Sequence, residues 1–312
     1  MKHSLTVAFL FSLAALAALA VRGQGSDARV ASVPAAPAAP PTVANAAAPS
    51  VEGNLLVAQA AREVSQLPAL EAKLRIQTNM LGQELIGSGS YYQLARSPET
   101  LFKLELKLQV AHQVSSLLHV SDGRFVWTRR DLPTHKFLGR VDQRRIAEAL
   151  ADSSKLPIGA SPSNMLALGG LGRLLETLSG HFDFAPPREE SFGGVSVWVV
   201  EGQWRPDVLA HLWPEKAQLL QTRQNININE LPAQLPSHVV VVLSRDSALR
   251  LFPYRIDYQR QNGAGESVSL VSIDLFDVRR NVSLDPRLFS YNPGDQEVVD
   301  HTEEFLRSLG AG

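Results

Sequence analysis

The chain has 312 residues, of which 45% are hydrophobic and 20% charged, and 30 basic against 31 acidic residues give a formal net charge of -1. This balance argues against a nucleic-acid partner, because nucleic-acid binding normally requires a basic face. The absence of cysteine excludes disulfides, thiolate metal sites, cysteine nucleophiles and the lipid anchor of a bacterial lipoprotein.

The N-terminal segment, residues 1–25, is typical of a secretory signal peptide. Lys2 precedes an apolar run over about 5–21, and small residues at 18–20 offer a cleavage site. The run is slightly short for a membrane-spanning helix, although an uncleaved anchor stays open. We therefore predict a chain that is periplasmic or otherwise exported, with no stable membrane span after signal cleavage.

Residues 26–52 are rich in Ala and Pro and poor in charge and large apolar groups, which predicts a disordered linker. Apolar residues at helical spacing over 53–67 predict a first helix that ends near Pro68. We expect a single domain over 53–312.

A run of strands follows this helix. The segment 100–110 alternates strictly, which predicts one dry and one wet strand face. Asp122-Gly123 separates two apolar runs over 115–131, a strong hairpin signal, and Gly87 and Gly89 predict a bulge or a strong bend. With strands at 69–81, 83–94 and 136–142, these segments predict an antiparallel meander.

The second half begins with helices. We predict them over 142–151 and 161–180, the latter with Ser161 as N-cap, and a short helix plus an irregular loop within 205–236. Further strands are predicted over 192–204, 238–246, 249–261 and 267–281, with a turn at Gly263 and Gly265, before a C-terminal helix over 300–309.

No motif announces catalysis. The sequence has no G-x-S-x-G elbow, its histidines are scattered without metal-ligand spacing, and "GGLG" at 169–172 is better explained by flexibility or close packing than by phosphate binding. We therefore predict a non-enzyme with no catalytic residue, no metal and no cofactor. A triad assembled from residues distant in sequence stays open.

Two strand groups separated by apolar helices predict an α+β fold, in which helices pack on the apolar face of a strongly curved antiparallel sheet. Such a sheet encloses either a solid core or the ligand cavity of a half-open barrel.

The order of these elements and two short motifs resemble the LolA-like outer-membrane lipoprotein-sorting proteins. The resemblance covers roughly 53–309 and rests on a hairpin motif and a closing motif. The matching residues are Asp122, Gly123, Val126, Trp127, Leu284, Asp285, Pro286, Phe289, Pro293, Asp300 and Thr302. The resemblance implies an unclosed β-barrel that is covered by helices and holds the acyl chains of a lipoprotein.

The first functional hypothesis is accordingly a periplasmic binder or carrier of lipid or lipoprotein acyl chains. The alternative for the same residues is a filled core without a ligand. The candidate cavity-lining residues are Leu74, Ile76, Phe102, Leu104, Leu106, Leu108, Phe125, Trp127, Met165 and Leu168.

The second hypothesis is a periplasmic sensor or protein-interaction module that contacts an envelope protein. Trp204, Arg205 and Trp213 support it, because tryptophan and arginine are enriched at binding hot spots. Tryptophans of an ordinary core are the alternative for these positions.

Overall fold

The computed structural model describes residues 51–80, 83–96, 99–110, 113–151, 162–222, 230–232, 235–261 and 265–308. The predicted signal peptide, nearly all of the predicted linker, the proposed N-cap Ser161 and the turn residue Gly263 lie outside these ranges.

The strands fall into two groups that are separated by helices, as the sequence patterns predict. The helices are α1 (Val51–Ser65), α2 (Gln143–Ala151), α3 (Pro162–His181), α4 (Pro206–Leu212), α5 (Ala217–Gln221) and α6 (Thr302–Ser308). The strands of the first group are β1 (Ala69–Met80), β2 (Gln83–Arg96), β3 (Glu99–Val110), β4 (Gln113–Ser121), β5 (Phe125–Asp131) and β6 (Lys136–Asp142). The remaining strands are β7 (Phe182–Phe184), β8 (Arg188–Phe192), β9 (Val195–Trp204), β10 (His238–Ser244), β11 (Pro253–Gln261), β12 (Ser267–Arg280) and β13 (Val299–Asp300).

These strands form one large curved sheet in the order β13-β6-β5-β4-β3-β2-β1-β12-β11-β10-β9-β7, with β8 paired to β9. The six strands β1 to β6 make the predicted antiparallel meander, and the ladder between β1 and β12 joins it to the second strand group. The two-residue β13 pairs with β6 in parallel, so the sheet is mixed at that edge. The described strands do not close on themselves, which confirms an unclosed barrel with helices.

Strand β3 confirms the alternating pattern. Phe102, Leu104 and Leu106 are buried on one face, while Lys103 and Glu105 form an ion pair of 2.8 Å on the other. Burying each of the large apolar side chains stabilises the fold by roughly 1.5–3 kcal/mol.

The Asp122-Gly123 hairpin is confirmed between β4 and β5. The Asp122 carboxylate accepts hydrogen bonds from the backbone N–H groups of Arg124 (2.8 Å) and Phe125 (2.7 Å) and from Nε1 of Trp127 (2.9 Å). Gly123 has φ 92°, a conformation that glycine adopts without steric cost.

Of the two alternatives predicted at Gly87 and Gly89, the bulge is wrong, because both ladders of β2 run through these residues without a register shift, and the strong bend stays a prediction. A Cβ at Gly89 would lie 1.8 Å from the carbonyl oxygen of Glu105. The glycine therefore permits a close backbone approach between β2 and β3.

Helix α3 is broken within the predicted helical segment. Gly169 (φ 177°, ψ 24°) and Gly170 (φ 69°, ψ −159°) leave helical geometry, so a segment over 162–168 is followed by a second one over 171–181. A Cβ at Gly172 would lie 1.9 Å from Oγ of Ser65, which makes close packing of α3 on α1 the reason for glycine there.

The short strands β7 and β8, at the β9 end of the sheet, were not predicted. The short helix predicted within 205–236 is present as two helices, α4 and α5. Within the described part of the chain, no helix combines the length and the apolar character needed to cross a membrane.

Candidate functional site

The site is the face of β1 to β5 that points towards α1 and α3, called the inner wall here. Cross-strand pairing aligns Leu74, Gly89, Leu106 and Leu117 in one row across four strands. Six candidate lining residues share this wall and one buried cluster with side chains of α1 and α3: Leu74, Ile76, Phe102, Leu104, Leu106 and Leu108. The structure therefore brings these six together.

Phe125 and Trp127 lie on the opposite face of the sheet. Trp127, only 7% exposed, forms an outer cluster with Val120 and Leu138, and its ring centroid is 5.4 Å from that of Tyr291. The structure therefore does not place Phe125 and Trp127 beside the other candidate residues of the wall.

The inward positions of β5 are the residues between and beyond these two aromatics. Val126 pairs with Ser121, Thr128 with His119 and Arg130 with Leu117, all on the inner-wall face. The wall therefore becomes polar as it passes from β3 to β5.

The side chains of Met165 and Leu168 in α3 lie outside the described residues, so their predicted contact with the wall stays a prediction. Neighbouring residues of the same helix, Leu166 and Leu171, are buried in the cluster that contains the wall.

The three candidate partner-binding residues are engaged within the chain. Trp213 is 4% exposed and belongs to the main core cluster. Nε1 of Trp204 donates a 2.8 Å hydrogen bond to the carbonyl oxygen of Pro236, and its ring centroid is 4.2 Å from that of Phe182. Arg205 is half-buried, with Nε 3.6 Å from the Asp207 carboxylate.

A buried polar network that the sequence analysis missed fastens α1 and α3 to the wall. The Tyr91 hydroxyl accepts a hydrogen bond from the backbone N–H of Leu171 (3.0 Å) and donates one to Oε1 of Gln93 (2.8 Å). Nε2 of Gln93 donates to the carbonyl oxygen of Val64 in α1 (3.0 Å). Burial raises the pKa of Tyr91, so the hydroxyl stays protonated. The signal in the sequence was the i, i+2 spacing of Tyr91 and Gln93, which places both on the wall.

A second group missed from sequence lies at the β4–β5 end of the wall. Nδ1 of His119 is 2.9 Å from Oγ1 of Thr128, and burial, aided by the positive charge of Arg130, lowers the pKa of His119 to about 3. Burial also lowers the pKa of Arg130, whose buried Nε has no hydrogen-bond partner among the described residues.

The side chains of this wall are mainly apolar on β1 to β3 and become more polar on β4 and β5. Within the described residues, no group of three or more His, Asp or Glu side chains is arranged to hold a metal ion. A long apolar surface with a buried tyrosine–glutamine network and one cationic end suits an amphiphilic ligand.

Comparisons with known proteins give structural neighbours alone. No protein-family model matches the chain, and no curated protein matches it. LprF from Mycobacterium bovis is 12% identical with a TM-score of 0.37, covering 76% of this chain and 98% of that one. A DUF1329 family protein from Desulfovibrio piger is 13% identical with a TM-score of 0.34 (76% and 96% covered). A putative outer membrane lipoprotein-sorting protein domain from Vibrio parahaemolyticus is 12% identical with a TM-score of 0.30 (76% and 95% covered). These low values transfer neither activity nor ligand to this chain.

Proposed function

We propose that this protein is an exported binder or carrier of the acyl chains of a lipid or lipoprotein, which it holds between the inner wall and helices α1 and α3. The observation that carries the proposal is the apolar β1–β3 part of the wall in an unclosed sheet, covered by a helix that is broken at Gly169-Gly170. Export rests on the signal-like sequence of residues 1–25.

The wall offers a surface suited to a chain of methylenes. Leu74 and Ile76 of β1 face Leu106 and Leu108 of β3 across Gly87 and Gly89 of β2. A Cβ at Gly87 would lie 3.1–3.2 Å from side-chain atoms of Leu108 and Leu106. These two leucine side chains therefore fill the space above Gly87. A change of leucine rotamer would open a trough with a backbone floor, and each buried methylene of a ligand would contribute about 0.8 kcal/mol.

The break in α3 supplies a way to uncover this surface. Helix α3 packs on β3 and β4. The segment over 171–181 is fastened by the Leu171–Tyr91 hydrogen bond and by the close contact of Gly172 with Ser65. The segment over 162–168 lies beyond the glycine pair and would swing away while the second segment stays in place.

The test is acyl-chain binding by the exported chain after delipidation. We expect lipids to co-purify with the protein and to be identified by mass spectrometry, and the delipidated protein to bind a fluorescent fatty acid or lipopeptide.

A position-specific reporter comes from Phe102→Trp on the inner wall. Phe102 is fully buried there, whereas the native Trp127 lies on the opposite face and is the matched control. A brominated fatty acid should quench the added tryptophan strongly and Trp127 weakly, because quenching requires contact. Failure of the delipidated protein to bind any labelled acyl chain or lipopeptide would refute the proposal.

A further inference from the structure

The inner wall changes character along two adjacent cross-strand rows. One row runs from Leu106 through Leu117 to Arg130, and the next runs from Leu104 through His119 to Thr128. Neighbouring strands are about 4.8 Å apart, so Arg130 on β5 lies roughly 10 Å from the leucines of β3 on the same face. One cation therefore lies at the polar end of a wall whose β1–β3 part is mainly apolar.

Arg130 is half-buried and, unlike its neighbour Arg129, has no ion-pair partner among the described residues. Among the described residues, no hydrogen bond or carboxylate pairs with its guanidinium, its Nε is buried, and its Cζ lies 5.4 Å from the centroid of the Phe137 ring. The adjacent Arg129, on the opposite face, forms an ion pair of 2.9 Å with Asp131. A half-buried cation without a partner in the chain would gain from a counter-charge, which a ligand can supply from outside the chain.

The groups around Arg130 do not cancel its charge. His119 is neutral near pH 7 because burial holds its pKa at about 3, and its Nδ1 contacts Thr128. In the C-terminal segment, residues 299–308, His301 lies near Phe137, and its Nδ1 is 2.8 Å from the Glu304 carboxylate.

Asp300 on the same segment is also engaged, by Nε of Arg140 at 3.2 Å and by the Thr302 hydroxyl at 2.6 Å. Among the residues that the structure describes, this end of the wall therefore carries one uncompensated positive charge beside polar groups.

We propose that Arg130, together with the Thr128 hydroxyl, binds the anionic head group of an amphiphile whose acyl chain lies along Leu104 and Leu106. The planar guanidinium matches the two oxygens of a carboxylate or a phosphate, and a low-dielectric surrounding strengthens such a pair. This inference rests on the proposed function and gives it a ligand class: single-chain or multi-chain lipids with an oxyanion rather than uncharged esters.

The test compares charged and uncharged ligands of equal chain length on the delipidated protein. The probes are palmitate, a monopalmitoyl glycerophosphate and methyl palmitate, each measured by displacement of a fluorescent acyl probe. Arg130→Gln should weaken binding of the anionic ligands about tenfold or more, because a charge-assisted bidentate pair is lost, and should change methyl palmitate binding less than about twofold.

Three comparisons sharpen this result. Arg130→Lys should retain part of the preference for anions, since the charge remains without the planar fork. Arg129→Gln, at the neighbouring residue on the opposite face, should leave all three affinities unchanged. The anionic ligand that loses more affinity in Arg130→Gln identifies the head group, a carboxylate if it is palmitate and a phosphate if it is the glycerophosphate.

The outcomes separate the two proposals. Binding of all three ligands with equal losses, or with no loss, in Arg130→Gln overturns the anion site while leaving the carrier proposal in place. Absence of binding by the wild-type protein to every acyl ligand overturns both. Thermal unfolding without ligand serves as the folding check, and Arg130→Gln should stay close to the wild type in stability because, among the described residues, the half-buried guanidinium has no ion pair to lose.

Discussion

The backbone N–H of Leu171 donates a 3.0 Å hydrogen bond to the buried hydroxyl of Tyr91, at the point where helix α3 resumes after its break. The bond gives the restarted helix a partner for one of the N–H groups that the first turn leaves unsatisfied. It also fixes α3 against strand β2, so the helix is attached to the inner wall directly after its break.

Replacement Tyr91→Phe should lower the free energy of unfolding by about 1–3 kcal/mol, because the Leu171 N–H and Oε1 of Gln93 lose their partner in a buried site. Denaturant unfolding followed by circular dichroism measures this change. Tyr92→Phe on the opposite face of β2 is the matched control and should be nearly neutral. Equal losses in the two variants would contradict the role of the Tyr91 hydroxyl.

Replacement Gly170→Ala should destabilise the protein through two effects. The new Cβ would lie 2.3 Å from the Tyr91 hydroxyl oxygen, and Gly170 has φ 69°. Gly194→Ala separates the effects, since Gly194 has φ 86° and a Cβ added there would have no neighbour within 4 Å among the described residues. We expect Gly194→Ala to cost about 1–2 kcal/mol from conformation alone and Gly170→Ala to cost about 1–3 kcal/mol more from the clash.

The double variant Tyr91→Phe/Gly170→Ala tests the contact itself. Without the hydroxyl, the next contacts of the Cβ are Oε1 of Gln93 at 3.0 Å and Cζ of residue 91 at 3.6 Å. The double variant should therefore lose less unfolding free energy than the two single variants lose together, by a coupling energy of about 0.5–3 kcal/mol. Strict additivity in equilibrium unfolding would show that the clash contributes nothing.

In strand β3 the sequence alone predicts which residues face the core, because apolar and polar residues alternate strictly and only one face is apolar. In β5 the same reasoning picked the larger aromatics, Phe125 and Trp127, as inward. That choice is mistaken by one position, because the residues 289–298 cover the outer face there and bury Trp127 against Tyr291. A sheet covered on both faces loses the polarity contrast on which period-two prediction depends.

The same cause hid the most informative residues of the site. His119, Thr128 and Arg130 look like solvent-facing positions in a strand, and nothing local indicates that the surrounding structure buries His119 and half-buries the other two. Of the two explanations left open for the "GGLG" segment, flexibility and close packing, the contact of Gly172 with Ser65 supports close packing. The contact of the helix break with Tyr91 could not be predicted locally, because Tyr91 lies 80 residues before Leu171 in the chain.

Stability should fall as the pH drops below about 6.5, because two buried histidines stay neutral in the folded state. Burial lowers the pKa of His119 to about 3 and that of His181 to about 4, so between about pH 4 and 6.5 the unfolded chain binds protons that the folded chain does not. The unfolding free energy then rises with pH by up to about 1.4 kcal/mol per unit for each histidine and levels off above pH 6.5.

Urea unfolding at a series of pH values from 5 to 7.5 measures this slope, since most carboxylates stay ionised in that range. His119→Gln should reduce the slope of the unfolding free energy against pH by the contribution of one histidine, whatever its effect on absolute stability. An unchanged slope in this variant would mean that His119 is protonated in the folded protein beside Arg130.

Replacement Leu106→Ala connects the apolar core with the proposed ligand. Removal of a buried leucine should lower the unfolding free energy by about 2–5 kcal/mol in the delipidated protein, because the space it leaves is not refilled. If an acyl chain occupies the trough beside Gly87 and Gly89, saturating palmitate should raise the melting temperature of this variant more than that of the wild type, since the ligand fills the new space. Leu243→Ala on β10 is the control, because Leu243 is equally buried in the same cluster but lies in the second strand group. Equal ligand-induced shifts in Leu106→Ala and Leu243→Ala would place the ligand elsewhere, whereas a larger shift in Leu106→Ala alone would locate the acyl chain on the β1–β3 part of the wall.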